Sequence, residues 1–258
     1  MSVQGRISTR LTHVGALVEE TYAIFQGWDR ALDFEANLAR VRAENPLGAR
    51  SASWMDVVLK TVSSRFRTTG DFMPLVILAQ GGMPLELWRP CLLWHAGRID
   101  ALLHVFLTDW LFPAHEEGVY RIYTRDASPF VVEQMAGKLI GGKSLTERSA
   151  ETTTRELLRL AAQFGLVKGR SVREFISYHL PDESFLYVLH ALAEQEPSPR
   201  RILDSPEWRM FQLTPEDVER EVLRLHQFQR LDYQAAGSLV QLKLPYPTLR
   251  AYAESVVA

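Results

Sequence analysis

Arginines at fixed intervals are the residues of this 258-residue chain best placed to do chemistry. Arg148, Arg155 and Arg159 are separated by seven and four positions, which sets them near one face of a helix. Lys168, Arg170 and Arg173 follow closely, and Lys138 to Arg173 holds eight basic residues against three acidic ones. A stripe of guanidinium groups beside a basic loop suits the phosphates of duplex DNA, because each cation that displaces a condensed counterion adds affinity without reading a base. Glu151 and Glu156 offer the opposite outcome, in which intrahelical ion pairs neutralise the stripe. Both readings stand at this level.

A second basic segment runs from Arg40 to Gly70, with six basic residues against Glu44 and Asp56. Two helices joined by Asn45-Pro46-Leu47-Gly48 resemble a helix-turn-helix, whose second helix would offer Arg50, Ser51 and Ser53 to a groove or a phosphate. Lys60, Arg65 and Arg67 extend the candidate DNA-contacting set along that helix. A helical hairpin with a solvated surface produces the same pattern, so the motif has low specificity.

Other chemistry is poorly represented. There is no phosphate-cradling glycine loop, no G-x-S-x-G, no H-E-x-x-H and no dinucleotide fingerprint, so the expectation is a protein that is not an enzyme and needs no cofactor. His95, His104 and His115 have Asp100, Asp109 and Glu116 nearby, but their spacing matches no ligand pattern and no metal is expected. The single cysteine, Cys91, sits among Leu92, Leu93 and Trp94 and reads as a buried thiol. Arginine outnumbers lysine 24 to 5, which a GC-rich bacterial genome explains without any function.

The elements that must position these residues are mostly helical. Val14, Leu17, Val18, Tyr22 and Phe25 share one side of a helix over Leu11 to Gln26, and Asp33 caps a helix carrying Phe34, Leu38 and Val41. A helix from Ser51 or Ser53 buries Trp54, Val57, Val58, Val62 and Phe66, and Pro90 implies a kink or break in the apolar stretch that follows. Pro113 to Ala127 reads as a connection, Ser128-Pro129 as a helix start, and Leu166 to Tyr178 as room for short strands. Ser144-Leu145-Thr146-Glu147 matches a capping box. The clearest signal is Thr214 to Leu244, where a capped amphipathic helix runs into an alternating hairpin with its turn at Ala236-Gly237. That order predicts a C-terminal winged-helix-like module, an arrangement used for both DNA and protein contact.

The fold class is therefore mainly α: a multi-helix N-terminal domain over residues 1–140 with the helix-turn-helix-like segment, and a winged-helix-like domain over 141–258 with a short β-hairpin. The boundary is placed at Gly141-Gly142. The longest uncharged run, Phe72 to Leu85, is broken by prolines and glycines and falls short of the roughly 20 apolar residues that span a bilayer, so a soluble, cytoplasmic protein without membrane contact is expected.

In order along the chain, Gly15-Ala16-Leu17-Val18-Glu19-Glu20, Glu35-Ala36-Asn37-Leu38, Asn45 with Arg50-Ser51, Ser205-Pro206-Glu207-Trp208-Arg209, Thr214-Pro215-Glu216-Asp217-Val218 and Tyr233 to Ser238 resemble the BrxA family of bacterial BREX phage-defence systems. The resemblance implies a small, non-enzymatic, mostly helical component that binds double-stranded DNA and works beside a methyltransferase, an ATPase and other proteins of its locus. It carries over no residue-level motif, so the candidate residues rest on the basic segments alone. The alternative is a protein-interaction scaffold within the same defence complex.

Overall fold

The computed structural model describes residues 14–67, 70–136, 146–237 and 239–257, and it is mainly helical. The expected boundary at Gly141-Gly142, residues 11–13 of the first expected helix, and Ser144 and Leu145 of the expected capping box lie outside the described residues.

Four helices open the described fold: α1 (Val18–Gln26), α2 (Phe34–Glu44), α3 (Ala52–Phe66) and α4 (Met73–Gln80). Their starts follow from local chemistry. Asp33 accepts from the Ala36 amide to cap α2, and Ser51 accepts from the Trp54 amide to cap α3. Between α2 and α3, Asn45 adopts the left-handed conformation and its side chain bonds both the amide and the carbonyl of Ala49, which fixes the turn. Phe25, Trp28, Phe34, Phe66 and Phe72 meet mainly edge to face and fill the centre of this half. Trp54 and Val57 are corrections to the expected apolar face: they are 39% and 36% exposed, because α3 buries Met55, Val58, Leu59, Val62 and Phe66.

Helix α5 (Leu85–Ile99) runs through Pro90 without ending. Ser184 donates to the Leu87 carbonyl in the turn beside that proline, and packing against α10 (Asp182–Ala193) holds the helix together. Asp100 ends α5 and caps α6 (Ala101–Val105) by accepting from the Leu102 and Leu103 amides. The chain continues through a π-helical turn, Phe106–Leu111, into α7 (Phe112–Glu116).

The segment expected to be a connection contains a strand. β1 (Arg121–Tyr123) leads directly into α8 (Thr124–Met135), which begins before Ser128-Pro129 because Asp126 accepts from the Tyr123 amide at the helix start. α9 (Glu147–Gln163) is capped by Thr146 and closed by Gly165 at φ +81°. β2 (Val167–Gly169) and β3 (Val172–Phe175) form a hairpin, and β1 pairs antiparallel with β3, giving the sheet order β1-β3-β2. This sheet joins residues on either side of position 140. Ile122 faces Arg173 on the inner side, while Arg121, Glu174 and Lys168 stand in register on the outer side.

α11 (Pro199–Leu203), a 3₁₀ turn over Pro206–Phe211 and α12 (Pro215–Gln227) follow α10. The capping box on α12 is present, with Thr214 accepting from the Asp217 amide and Asp217 from the Thr214 amide. β4 (Asp232–Ala236) and β5 (Leu239–Lys243) make the expected hairpin, with Gly237 at φ +61° in its turn. α13 (Leu249–Val256) packs on α4 and α10, where Tyr252 donates to the Glu183 carbonyl. No helix among the described residues is long and apolar enough to cross a membrane.

Candidate nucleic-acid interface

The cations of the two basic segments have separate fates. In the N-terminal segment Arg50 and Ser53 are exposed at the start of α3. The Ser51 hydroxyl is occupied as the helix cap. Lys60 is exposed on an open groove of about 610 Å³ between α2 and α3, and pairs of opposite charge surround it: Arg42 with Asp56 and Arg67 with Glu35. Arg67 therefore lies at the surface with a carboxylate already in contact.

Arg65 is a correction. It is 4% exposed and points into the protein, donating from Nη1 to the Ala16 carbonyl at 2.5 Å and from Nη2 to the Gly15 carbonyl at 2.6 Å. Burial pushes its pKa down to about 10, opposed by the nearby charges of Asp100 and Glu20. From the other side the Ala16 amide donates to Gln163 of α9 at 2.8 Å. A single dipeptide is thus gripped by α3 and α9, and Arg65 is unavailable to a phosphate.

The second segment offers more. On α9 the buried stripe of Ala150, Thr153, Thr154, Leu157, Leu158 and Ala161 leaves Arg148, Glu151, Thr152 and Arg155 facing outward. Arg148 has no acidic partner among the described residues. Arg155 meets Glu151 at 3.1 Å, and Arg159 pairs with Glu156. In the β2–β3 hairpin, Lys168 is 3.8 Å from Glu174 and Arg170 is exposed without an acidic partner among the described residues. Arg173 is the second correction: it is 8% exposed, and its guanidinium donates to the Gly169 carbonyl. Burial lowers its pKa.

Two further exposed cations lie on the same sheet and its flanking helix and were not among the expected set. Arg121 on β1 shares Glu174 with Lys168, and Arg125 in the first turn of α8 lies over the Tyr123 ring with its side chain 80% exposed. The signal for β1 was the alternation Tyr120-Arg121-Ile122-Tyr123 between Gly118 and the α8 cap, in which Ile122 alone is buried. Over β1, α8, α9 and the β2–β3 hairpin, eight basic residues stand against six carboxylates, a small excess of positive charge carried at the surface by Arg121, Arg125, Arg148, Arg155, Lys168 and Arg170.

The histidines do not converge. His95 Nε2 is 2.8 Å from the Tyr187 hydroxyl, His104 Nε2 is 3.1 Å from Glu207, and the His115 ring packs on Phe175. Among the described residues no three His, Cys, Asp or Glu side chains are grouped to hold a metal ion.

Fold and charge together define a mainly helical protein in which a small antiparallel sheet and the helices that flank it carry several of the exposed cations. The BrxA family model matches residues 6–191, well over half of the chain, and the chain belongs to the BrxA family. It is accordingly a component of the BREX defence system, which works with other proteins of the defence locus. The match takes in the sheet unit and ends inside α10, so α11 to α13 and the β4–β5 hairpin lie beyond it. No curated protein and no solved structure gives a match to the chain.

Proposed function

We propose that this BREX component binds duplex DNA, without catalysing a reaction on it, through the unit of β1, α8, α9 and the β2–β3 hairpin. The order strand, helix, helix, hairpin is that of a winged helix, in which the second helix enters the major groove and the first crosses the backbone. The observation that carries the reading is the pair Arg148 and Arg170, exposed on α9 and on the hairpin with no carboxylate paired to them among the described residues. Arg125 and Arg155 add cations whose carboxylate partners are exposed, Arg121 and Lys168 share the half-buried Glu174, and an ion pair at the surface is worth so little that a phosphate can replace the carboxylate.

The test is fluorescence anisotropy with a duplex of about 20 base pairs across roughly 50 to 200 mM salt. With two to six phosphate contacts, log K should fall against log salt with a slope between about −2 and −5. Replacing both Arg148 and Arg170 by Glu should weaken binding and flatten that slope by about 2. A salt-independent affinity, no binding at low salt, or a charge-reversed protein that binds as well as the original would each remove the proposal.

A second reading concerns the C-terminal helix and hairpin. Phe228 and Leu239 are 66% and 63% exposed there, while Arg220, Arg224 and Arg230 are each paired with Asp or Glu. Exposed apolar side chains among neutralised charges favour protein contact over phosphate contact. On this scaffold reading, Phe228→Ser with Leu239→Ser disrupts assembly with other proteins of the locus and leaves DNA affinity unchanged. Intact assembly of that variant would discard the scaffold role for this surface.

A further inference from the structure

The β2–β3 hairpin is braced at a cost in stability that packing alone does not require. Its last paired position is Gly169 opposite Arg173, so three residues, Arg170, Ser171 and Val172, close the loop. Gly169 has φ +97°, and a Cβ there would lie 2.2 Å from the Val172 carbonyl oxygen, so this tight closure admits only glycine. Arg173 spends its guanidinium on the Gly169 carbonyl while 8% exposed, and its Nε is buried with no hydrogen-bond partner. A buried, incompletely satisfied cation is normally selected against. Here it fixes the carbonyl that immediately precedes Arg170, the exposed residue at the tip that has no acidic partner among the described residues.

We infer that Arg170 is a preorganised probe of minor-groove width, and that Arg173 is the positioning residue that holds it; this deepens the DNA reading above and rests on it. The size argument is direct. An α-helix of about 10–12 Å diameter fills the major groove, whereas the minor groove, about 6 Å wide, admits a single extended side chain from a narrow loop. A·T tracts narrow that groove further and deepen its negative potential, which favours an inserted arginine without any base hydrogen bond. The tip presents one exposed cation and a small exposed hydroxyl residue, Ser171, while the third loop residue, Val172, is half-buried opposite Tyr123. Fixing the loop before binding removes the ordering cost that a mobile arginine would meet. The ligand class is therefore a duplex with a narrow, A·T-rich minor groove beside the major-groove site of α9.

The experiment compares two duplexes of equal length at one salt concentration, one with an A-tract and one with G·C pairs at the same positions. The full chain should prefer the A-tract duplex by about five- to tenfold. Arg170→Ala should weaken both duplexes by the one phosphate contact it removes and weaken the A-tract duplex about five- to tenfold more, so that the preference disappears. Arg170→Lys should keep most affinity and lose most of the preference, because ammonium is the more strongly hydrated cation. Arg173→Met should behave as Arg170→Ala does if folded by circular dichroism; should it unfold, the exposed Arg170 substitutions decide the matter alone. Equal affinity of the unaltered protein for both duplexes, or an Arg170→Ala loss of the same size on both, overturns the inference and leaves the DNA reading intact. Binding to neither duplex removes both.

Discussion

Replacing Arg65 by methionine separates a structural arginine from a DNA-contacting one. The side chain makes charge-assisted hydrogen bonds of 2.5 and 2.6 Å to the carbonyls of two successive residues, of which Ala16 is 1% exposed. Each such bond is worth roughly 1.5–3 kcal/mol, and each carbonyl left buried without a donor costs about 1–3 kcal/mol. Methionine recovers part of this by burying apolar surface where a guanidinium was desolvated, so the net loss should be about 3–5 kcal/mol. Lysine keeps the charge but not the fork that reaches both oxygens, and should lose about 1–3 kcal/mol. Beside Gly15, whose φ of +94° suits glycine, Leu17 is strained at φ +52° and stays in that geometry because Arg65 and Gln163 hold the segment from both sides. Equilibrium urea unfolding followed by circular dichroism gives the stability, and anisotropy at a temperature where the variant remains folded gives the DNA affinity. An Arg65→Met protein within about 1 kcal/mol of the original that has lost DNA affinity tenfold would refute the structural role and return Arg65 to the interface.

Three further outcomes follow from local geometry. A Cβ on Gly81 would lie 2.1 Å from Val257, so Gly81→Ala should loosen the C-terminal end of α13 from α4, read as faster proteolysis near residues 249–257 and a lower unfolding temperature. Burial and the Arg98 charge lower the His95 pKa to about 3, below its unfolded value near 6.5. The unfolded chain therefore binds the extra proton between those values, so stability is whole above about pH 6.5 and falls toward pH 3 by at most about 1.4 kcal/mol per unit. His95→Gln should flatten that part of the pH profile, and a profile unchanged by the substitution would count against a buried neutral imidazole. Thr214→Ala removes the reciprocal cap of α12 and should cost about 1 kcal/mol in denaturant unfolding, with DNA affinity unaffected.

Features set by neighbouring residues were legible in the sequence, and features set by distant ones were not. Asp33 and Thr214 cap helices through bonds three residues long, and the β4–β5 hairpin closes on its own turn, so each could be read from a short window. β1 is three residues long and its partner strand lies about fifty positions later, which leaves alternation as the only local trace of the pairing. The candidate site divides in the same way. Arg65 stands seven residues after Val58 and three after Val62, on the stripe that α3 buries, so helical spacing held the information that it faces inward. Arg148 lies off the buried stripe of α9 and stays in solvent. Arg173 turns inward for a reason no helical count supplies: it stands opposite Ile122 on the inner face of the sheet.

What distinguishes the two basic segments is how their own neighbours use the charge, since the net charge of the chain is only −2. Between α2 and α3, Arg42 with Asp56 and Arg67 with Glu35 each join one helix to the other, so moving either arginine to a phosphate would also remove a tie across the helix pair. On the sheet unit the ties are cheaper. Arg121 and Lys168 share the single carboxylate of Glu174 across strands already joined by backbone pairing, and Arg155 takes Glu151 from its own helix, so a phosphate can replace these partners without separating elements. Counterion release rewards every cation that can make that exchange and none that is committed to holding the fold. By this reasoning Arg67→Ala should act mainly on stability and Arg148→Ala mainly on the salt slope, which should flatten by about 1. Should Arg67→Ala flatten the slope and Arg148→Ala leave it unchanged, the interface would have to move from the sheet unit to the helix pair.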